Sequence, residues 1–469
     1  MRLFRRRAVL ALAGVLACAL IGPAGAGAAG TFFIRGGGNG HGIGMSQYGA
    51  DGYAEHGKSY EFILAHYYEG TSLGSTDPNQ IVRVLLATGS ATFGGATGIA
   101  GARLDPSVTY TVAPVGNGQL GVFDASGRRI AKGAPPLIAT GPGPLSVAGL
   151  GEYRGSLEFR PDGSGGVETV EAVGLDDYVR SVVSKEVPAS WPAQALDAQA
   201  VAARTYAITT DVAGGDYNVY SDTRSQLYGG VGAETPATDA AVAATRGQVV
   251  TYDGTPVVTY FFSSSGGYTE SIQNVWPGAT PEPWLRGVPD PYDKSSGDPY
   301  FSWGSQMTLA AAQAKLGGYV SGSLIGVRVT RHGVSPRILA AEVVGTRGTT
   351  TVTGSQLQQT FGLLTTLASF TTITSSASVP SAHAARAGLA APGGTGAFSP
   401  LAVVSALERQ VFPAAAGAPF TVELRGSHGW RRYVSSAVGS DGRFKVSLPL
   451  SGTYRAVYGG LAGPAVAIP

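Results

Sequence analysis

Hydrophobic and polar positions change their spacing several times along the 469-residue chain. An apolar run from Ala8 to Ile21 follows a basic start and leads into small residues ending at Gly30. That order is the anatomy of a secretory signal peptide, residues 1–30. The run is shorter than the roughly 20 residues a membrane span needs. An exported chain with no transmembrane anchor after cleavage is therefore expected. Cys18, inside this segment, makes only a weak lipoprotein site because Leu16 before Ala17 fits poorly.

Residues 59–68, SYEFILAHYY, place apolar side chains at helical spacing behind a serine suited to cap the first turn. From 81 to about 138 the pattern becomes strands and glycine turns. Residues 157–173 read as a hairpin turning at Pro-Asp-Gly. The period then returns to that of a helix. Residues 175–186 open on two acids and set Val179, Val182, Val183 and Glu186 along one face, and Pro188 ends the segment. A second helix follows, with Ser190 as its expected cap, proline in the first turn, and Leu196, Ala200, Ala203 and Ala207 as a stripe of small residues.

After Val249 strands resume, and the thirty or so irregular residues 263–293 form a loop of a length that is commonly functional. Two strands and a short helix close this region near Ile373. Residues 374–398 are a Ser, Ala, Gly and Pro linker by composition. Residues 399–469 alternate at period two between glycine turns, as in a small antiparallel β-sandwich of the immunoglobulin-like kind, and carry no visible chemistry. The expected fold is α+β: a strand-rich domain over 31–373 with a few short helices, then the linker and the sandwich.

Composition adds little to the fold but narrows the partners. Glycine, 70 of 469 residues, is about twice its usual share. Loss of residues 1–30 removes four arginines and no acid, so 33 basic residues become 29 against 31 acids and the formal charge moves from +2 to −2. Near neutrality, nothing argues for nucleic acid or an anionic membrane. Without Cys18 the mature chain has no cysteine for disulfides or thiolate metal sites.

Three motif matches carry little. Gly52 to Ser59 has Walker A spacing, yet Tyr-Ala-Glu-His between the glycines is bulky and acidic, and the text before it is helical, so no nucleotide is expected. His41, His56 and His66 match no compact metal spacing. Ser46 misses nucleophile-elbow spacing by one residue. Glu186 is sharper. It continues a valine face at the end of a helix, where desolvation and the helix dipole both raise a carboxyl pKa, as a general acid requires. Spacing alone leaves a solvent-facing glutamate equally open.

Residues 182–207, VVSKEVPASWPAQALDAQAVAARTYA, resemble the signature of the stage II sporulation protein D/LytB family. So do YSDTRSQLYGG, FFSSSGGYTESIQNVW, WLRGVPDPYD and GHGIGMSQYGA, together spanning about 31–373. One departure is positional: the Gly-His-Gly and Met-Ser-Gln motif usually closes the domain, after the segment here at 362–370, whereas it opens this mature chain. A circular rearrangement accounts for that. Another is Ser263, which stands where a zinc-binding histidine often precedes the serine-glycine loop, so no zinc or other cofactor is expected.

The resemblance implies an extracytoplasmic protein acting on peptidoglycan glycan strands, as a lytic transglycosylase with Glu186 as a single acid/base. The alternative it allows is a LytB-type enhancer of a cell-wall amidase, or a wall-binding protein, without catalysis. Arg204, Tyr206, Gln226, Tyr228, Ser264, Ser265, His41, Ser46 and Gln47 then either bind sugar and orient Glu186 or brace the fold. His41 and Glu186 are expected to line one cleft.

Overall fold

The structure, a computed structural model, describes residues 29–378 and 405–468. Residues 1–28 with Cys18, and 379–404 with most of the compositional linker, lie outside the described residues. Strand residues outnumber helical ones about two to one, in several sheets, which makes the fold α+β. The described residues divide into two compact units, one holding 34–305 and 315–370, the other 29–33, 306–314, 371–378 and 405–468.

In the larger unit, four helices position the site: α1 (Gln47–Glu55), α2 (Tyr60–Tyr67), α3 (Leu175–Glu186) and α4 (Ala193–Thr209). A first core packs two largely antiparallel sheets against α3 and α4. The hairpin Ser156–Pro161 and Val167–Gly174 pairs antiparallel, and Val167–Gly174 pairs in turn with Ile81–Gly89. Phe159, Val82 and Val84 from these strands, with Phe93 from the second sheet, share a core with Val179, Val182 and Val183 of α3, all buried. The valine face of α3 is thus a core face, and only its last residue leaves the core. Val187 is extended at φ −136°, ψ 151°, because a residue before proline is disfavoured in the helical region.

Helix α4 is buried on nearly every side, its few polar side chains included. Leu196, Ala200, Ala203 and Ala207 face the first core, as their spacing predicts. Ala198, Val201 and Ala202 face a second core with Ile43, Met45, Ala50, Ile63, Leu64 and Tyr67. One helix therefore serves two cores. Its cap differs from expectation: Pro192 holds the N-cap position and makes no side-chain cap bond. The proline ring fixes the entry to the helix, and Ser190 stands two residues too early to reach its first free amides.

The glycine-rich N-terminal motif lies over that second core. Met45–Ser46 forms a short parallel pair with Phe261–Phe262. Gly44 sits at φ +74° with the Tyr260 carbonyl so close that a Cβ would collide with it. Upstream, Gly37 N donates to Leu367 O at 3.1 Å and Thr365 Oγ1 to Gly37 O at 2.8 Å, so the motif follows directly on the 362–370 segment in space. Ser59 caps α2, its hydroxyl accepting from Phe62 N, and the Walker-like Gly57–Lys58 pair merely joins two helices.

Three strands close the larger unit, Leu324–His332, Ile338–Gly345 and Gly348–Thr353, one more than expected, and the helix Gly354–Phe361 follows. The extra strand was hidden in a threonine run that also supplies the helix cap: Thr353 and Gln356 make a capping box. In the smaller unit, strands from Ser405–Phe412 onward form two sheets around Leu407, Val411, Phe420, Val422, Phe444 and Tyr454. Residues 371–378 belong to it too: Ile373 is fully buried opposite Val411, so strand structure continues into the stretch that composition marks as linker. Serine and threonine made that strand look like coil.

Candidate active site around Glu186

Glu186 is the last residue of α3, half-buried, with each oxygen taken by a donor from another part of the chain. The Leu227 amide donates to Oε1 at 2.7 Å and the Gln47 side-chain amide to Oε2 at 3.3 Å. Burial raises the Glu186 pKa above the ordinary carboxylate range, and these two donors pull it partly back by favouring the charged form. No other acid enters its interactions among the described residues. A half-buried carboxyl whose pKa is raised by burial and that accepts two hydrogen bonds is placed to give up a proton and take one back.

Several predicted residues prove to be supports behind this acid. Gln226 is fully buried, accepting from Tyr178 Oη at 2.9 Å and donating to Ala203 O at 3.2 Å. By tying its loop to α3 and α4 it aims the next amide, Leu227 N, at Glu186. Tyr228 is buried and stacks on Tyr178 at 5.0 Å between ring centroids. Arg204 has no exposed surface; it pairs with Asp176 at 2.6 Å and donates to the Gln248 carbonyl. These three side chains are buried, which favours bracing of the fold over contact with sugar.

Tyr206 is half-buried; burial raises its pKa, hydrogen bonds with Thr210 and Ser225 lower it, and the charge of nearby Glu186 adds a further rise. Its ring meets Tyr260 edge-on at 5.9 Å, and Tyr260 meets Trp276 at 4.8 Å. On the Gln47 side, Tyr48 packs edge-on to Trp191 at 5.2 Å and reaches Tyr300 at 6.3 Å. Aromatic side chains thus extend away from the acid in both directions. Sequence spacing showed Trp191 just beyond Glu186 but could not show Tyr48 or Tyr300 beside it.

His41 does not reach Glu186. Its Nδ1 accepts from Ile43 N at 3.0 Å, the ring also bonds the Phe261 backbone, and Phe262 and Trp276 flank it at 5.4 and 5.5 Å. Burial, then the Arg337 guanidinium, lowers its pKa to about 4, so it is neutral. It lines a separate cavity of about 700 Å³ with Trp276, Arg331 and Gln358. The residue of the motif that touches the acid is Gln47. Tyr260 and Phe261 stand between His41 and Tyr206.

Ser46, Ser264 and Ser265 are fully buried and meet aspartates of the 263–298 region. Ser46 and Ser265 donate to Asp293, and Ser264 donates to Asp298. Asp290 lies under Gly49, where a Cβ would strike its carboxylate and Tyr67 Oη. Burial, then neighbouring acids, raises Asp290 to about 7 and Asp293 to about 6. In the first core, burial raises Glu171 to about 8.

These raised values have a sign. The unfolded chain releases such protons near pH 4, while the native state keeps them until pH 6 to 8. Across that window the native state binds more protons, so stability falls as pH rises. Thermal unfolding followed by calorimetry is expected at higher temperature at pH 5.5 than at pH 8. An equal or inverted order would contradict the burial of these acids.

Among the described residues, no group of three or more His, Cys, Asp or Glu is arranged to hold a metal ion, and no helix is long and apolar enough to cross a membrane. Residues 163–252, which carry α3, Glu186, α4 and the Leu227 loop, match the family model described as stage II sporulation protein. The part of the chain that builds this site is thus similar to the stage II sporulation protein D family. It is 33% identical over 220 residues to stage II sporulation protein D of Bacillus subtilis (strain 168), covering 42% of this chain and 60% of that one. The counterpart from Bacillus amyloliquefaciens is 32% identical over 171 residues, 33% of this chain and 45% of that one. An amidase enhancer of Bacillus subtilis (strain 168) is 41% identical over 103 residues, 22% of this chain and 14% of that one. The chain thus spans less than two thirds of the length of these relatives.

Proposed function

We propose that this protein is an extracytoplasmic, cell-wall protein that cleaves peptidoglycan glycan strands as a lytic transglycosylase through Glu186. The observation that carries the reading is the lone, partly desolvated carboxyl at the end of α3, held by Leu227 N and Gln47 Nε2. A hydrolysing glycosidase needs two carboxylates, about 5 to 9.5 Å apart. A lytic transglycosylase manages with one. Glu186 gives its proton to the glycosidic oxygen as the C1–O bond breaks; the 6-hydroxyl of the same muramic acid then bonds C1 and its proton returns to Glu186. No water is consumed, and the new end is a 1,6-anhydro sugar.

The aromatic side chains flanking Glu186, Tyr206 and Tyr260 in one direction and Tyr48 and Trp191 in the other, offer broad faces with polar edges, suited to a sugar chain. The contact of the N-terminal motif with the 362–370 segment supports a circularly rearranged domain order in which new termini opened between them.

A second reading is favoured by the relative named amidase enhancer: the domain would bind the wall or an amidase without cutting glycan. One experiment separates the two. The mature protein is incubated with intact and with stem-peptide-free peptidoglycan, and the products are analysed by mass spectrometry. Transglycosylase activity yields 1,6-anhydro-muramic ends from at least one substrate. Their absence from both, with faster release of stem peptides when a cell-wall amidase is added, would establish the enhancer reading instead.

A further inference from the structure

One buried carboxylate ties together the two segments that converge on the site. Asp293 Oδ1 accepts from Ser46 Oγ at 3.4 Å, and Oδ2 accepts from Ser265 Oγ at 2.9 Å and from Gly266 N at 2.7 Å. Ser46 is also the N-cap of α1, its hydroxyl accepting from Gly49 N at 3.2 Å. The very next residue is Gln47, which donates to Glu186. From acid to acid the path is Asp293, Ser46, Gln47, Glu186.

We infer that Asp293 is a positioning residue for Glu186: by holding the Ser46 cap, it sets where α1 presents the Gln47 amide to the catalytic carboxyl. The consequence for activity rests on the transglycosylase reading above; the positioning itself does not. Residue type supports it. Three donors converge on Asp293, and an ionised carboxylate, which accepts at both oxygens and donates at neither, satisfies them all. An asparagine would turn a donor toward one of these partners.

Ala50 and Tyr53 anchor the body of α1 in the second core, so what Asp293 sets is its first turn at Ser46. Asp290, itself within reach of Ser46 and Ser265, and Asp298 lie beside Asp293 and repel its charge, Arg337 attracts it, and Tyr67 stands against Asp290. None of these reaches Gln47. Among the described residues, the phenols of Tyr206 and Tyr178 are the further ionisable groups that sense the charge of Glu186. A shift in its titration on changing Asp293 must therefore travel through the Ser46–Gln47 link.

The test reads that titration directly. Protein carrying carbon-13 in its glutamate carboxyls is titrated by NMR, with the Glu186 signal assigned by its loss in Glu186→Gln. Asp293→Asn is expected to raise the Glu186 midpoint by about 0.5 to 1 pH unit, because a donor to the charged form is lost. Gln47→Leu should give the same rise, and the double variant no more than either alone. Ser265→Ala, which trims the other branch of the Asp293 network, should lower the melting temperature and leave the midpoint in place.

An unchanged midpoint in Asp293→Asn, or additive shifts in the double variant, would overturn the inference. Should Asp293→Asn fail to fold, Ser46→Ala cuts the same link from the other side and must show the same rise. If glycan cleavage is present, the alkaline limb of its pH profile should move up in step, with kcat lowered about tenfold and KM within about twofold. If the wild-type protein forms no anhydro ends yet the NMR shift appears, the transglycosylase reading fails and the positioning stands.

Discussion

Glu186→Gln is expected to fold as the parent does and to lose glycan cleavage by a factor of about 10² to 10⁴. The amide is isosteric with the acid and can still accept from Leu227 N and from Gln47 Nε2 through its single carbonyl oxygen, one at a time. What it lacks is a proton to give. Among the described residues no second carboxylate takes part in the interactions of Glu186, so no neighbour is expected to substitute for it. The measurement is the yield of 1,6-anhydro-muramic ends by mass spectrometry, alongside circular dichroism to establish that the variant is folded. Products at the parental rate would remove Glu186 from the chemistry while leaving the activity itself intact. The parent's own pH profile should fall on the alkaline side, since the acid must be protonated to act, and burial places that fall above the ordinary carboxylate range.

Arg204→Met tests the opposite kind of residue. Arg204 is wholly buried, and its guanidinium is shared between Asp176 and the carbonyls of Gln248 and Val242. Removing one partner of a buried pair typically costs about 3 to 5 kcal/mol, because the other charge is left without its counterion. The expected result is a melting temperature many degrees lower. Arg204→Lys should recover little, since one ammonium cannot span the directions that a planar guanidinium covers. A sugar-binding arginine would behave differently, raising KM with stability unchanged. That outcome would refute the bracing role.

These two residues also show how far residues alone could lead. Periodicity found α3 and its end at Pro188 because a valine stripe and a proline are local signals. It also found the small-residue stripe of α4. It left Glu186 undecided between a surface residue and an acid, because desolvation depends on what covers a helix end, and here the cover comes from residues 47 and 227. Arg204 and Gln226 sit in the same motif as the acid, and nothing in their spacing separates a side chain that touches substrate from one that holds the frame.

His41 misled for a related reason. A histidine between glycines looks exposed, but the glycines let the backbone run so close to Tyr260 and Arg337 that the ring is enclosed. The site group next to Gln226 was a backbone amide, which no side-chain pattern can mark. Asp293 could have been suspected only as an acid in a loop of unusual length. Its partners lie 247 and 28 residues away.

The pairing of Met45–Ser46 with Phe261–Phe262 has a consequence for when the site comes into being. Contacts at that sequence separation close a large loop, and such loops form late and slowly compared with local turns. A chain emerging in order from its N-terminus carries the Gln47 segment from the outset. It cannot dock that segment until residues beyond 262 and the Asp293 loop have arrived. Partly emerged or truncated chains therefore hold Glu186 without its partner, and competence arrives only near the completion of folding.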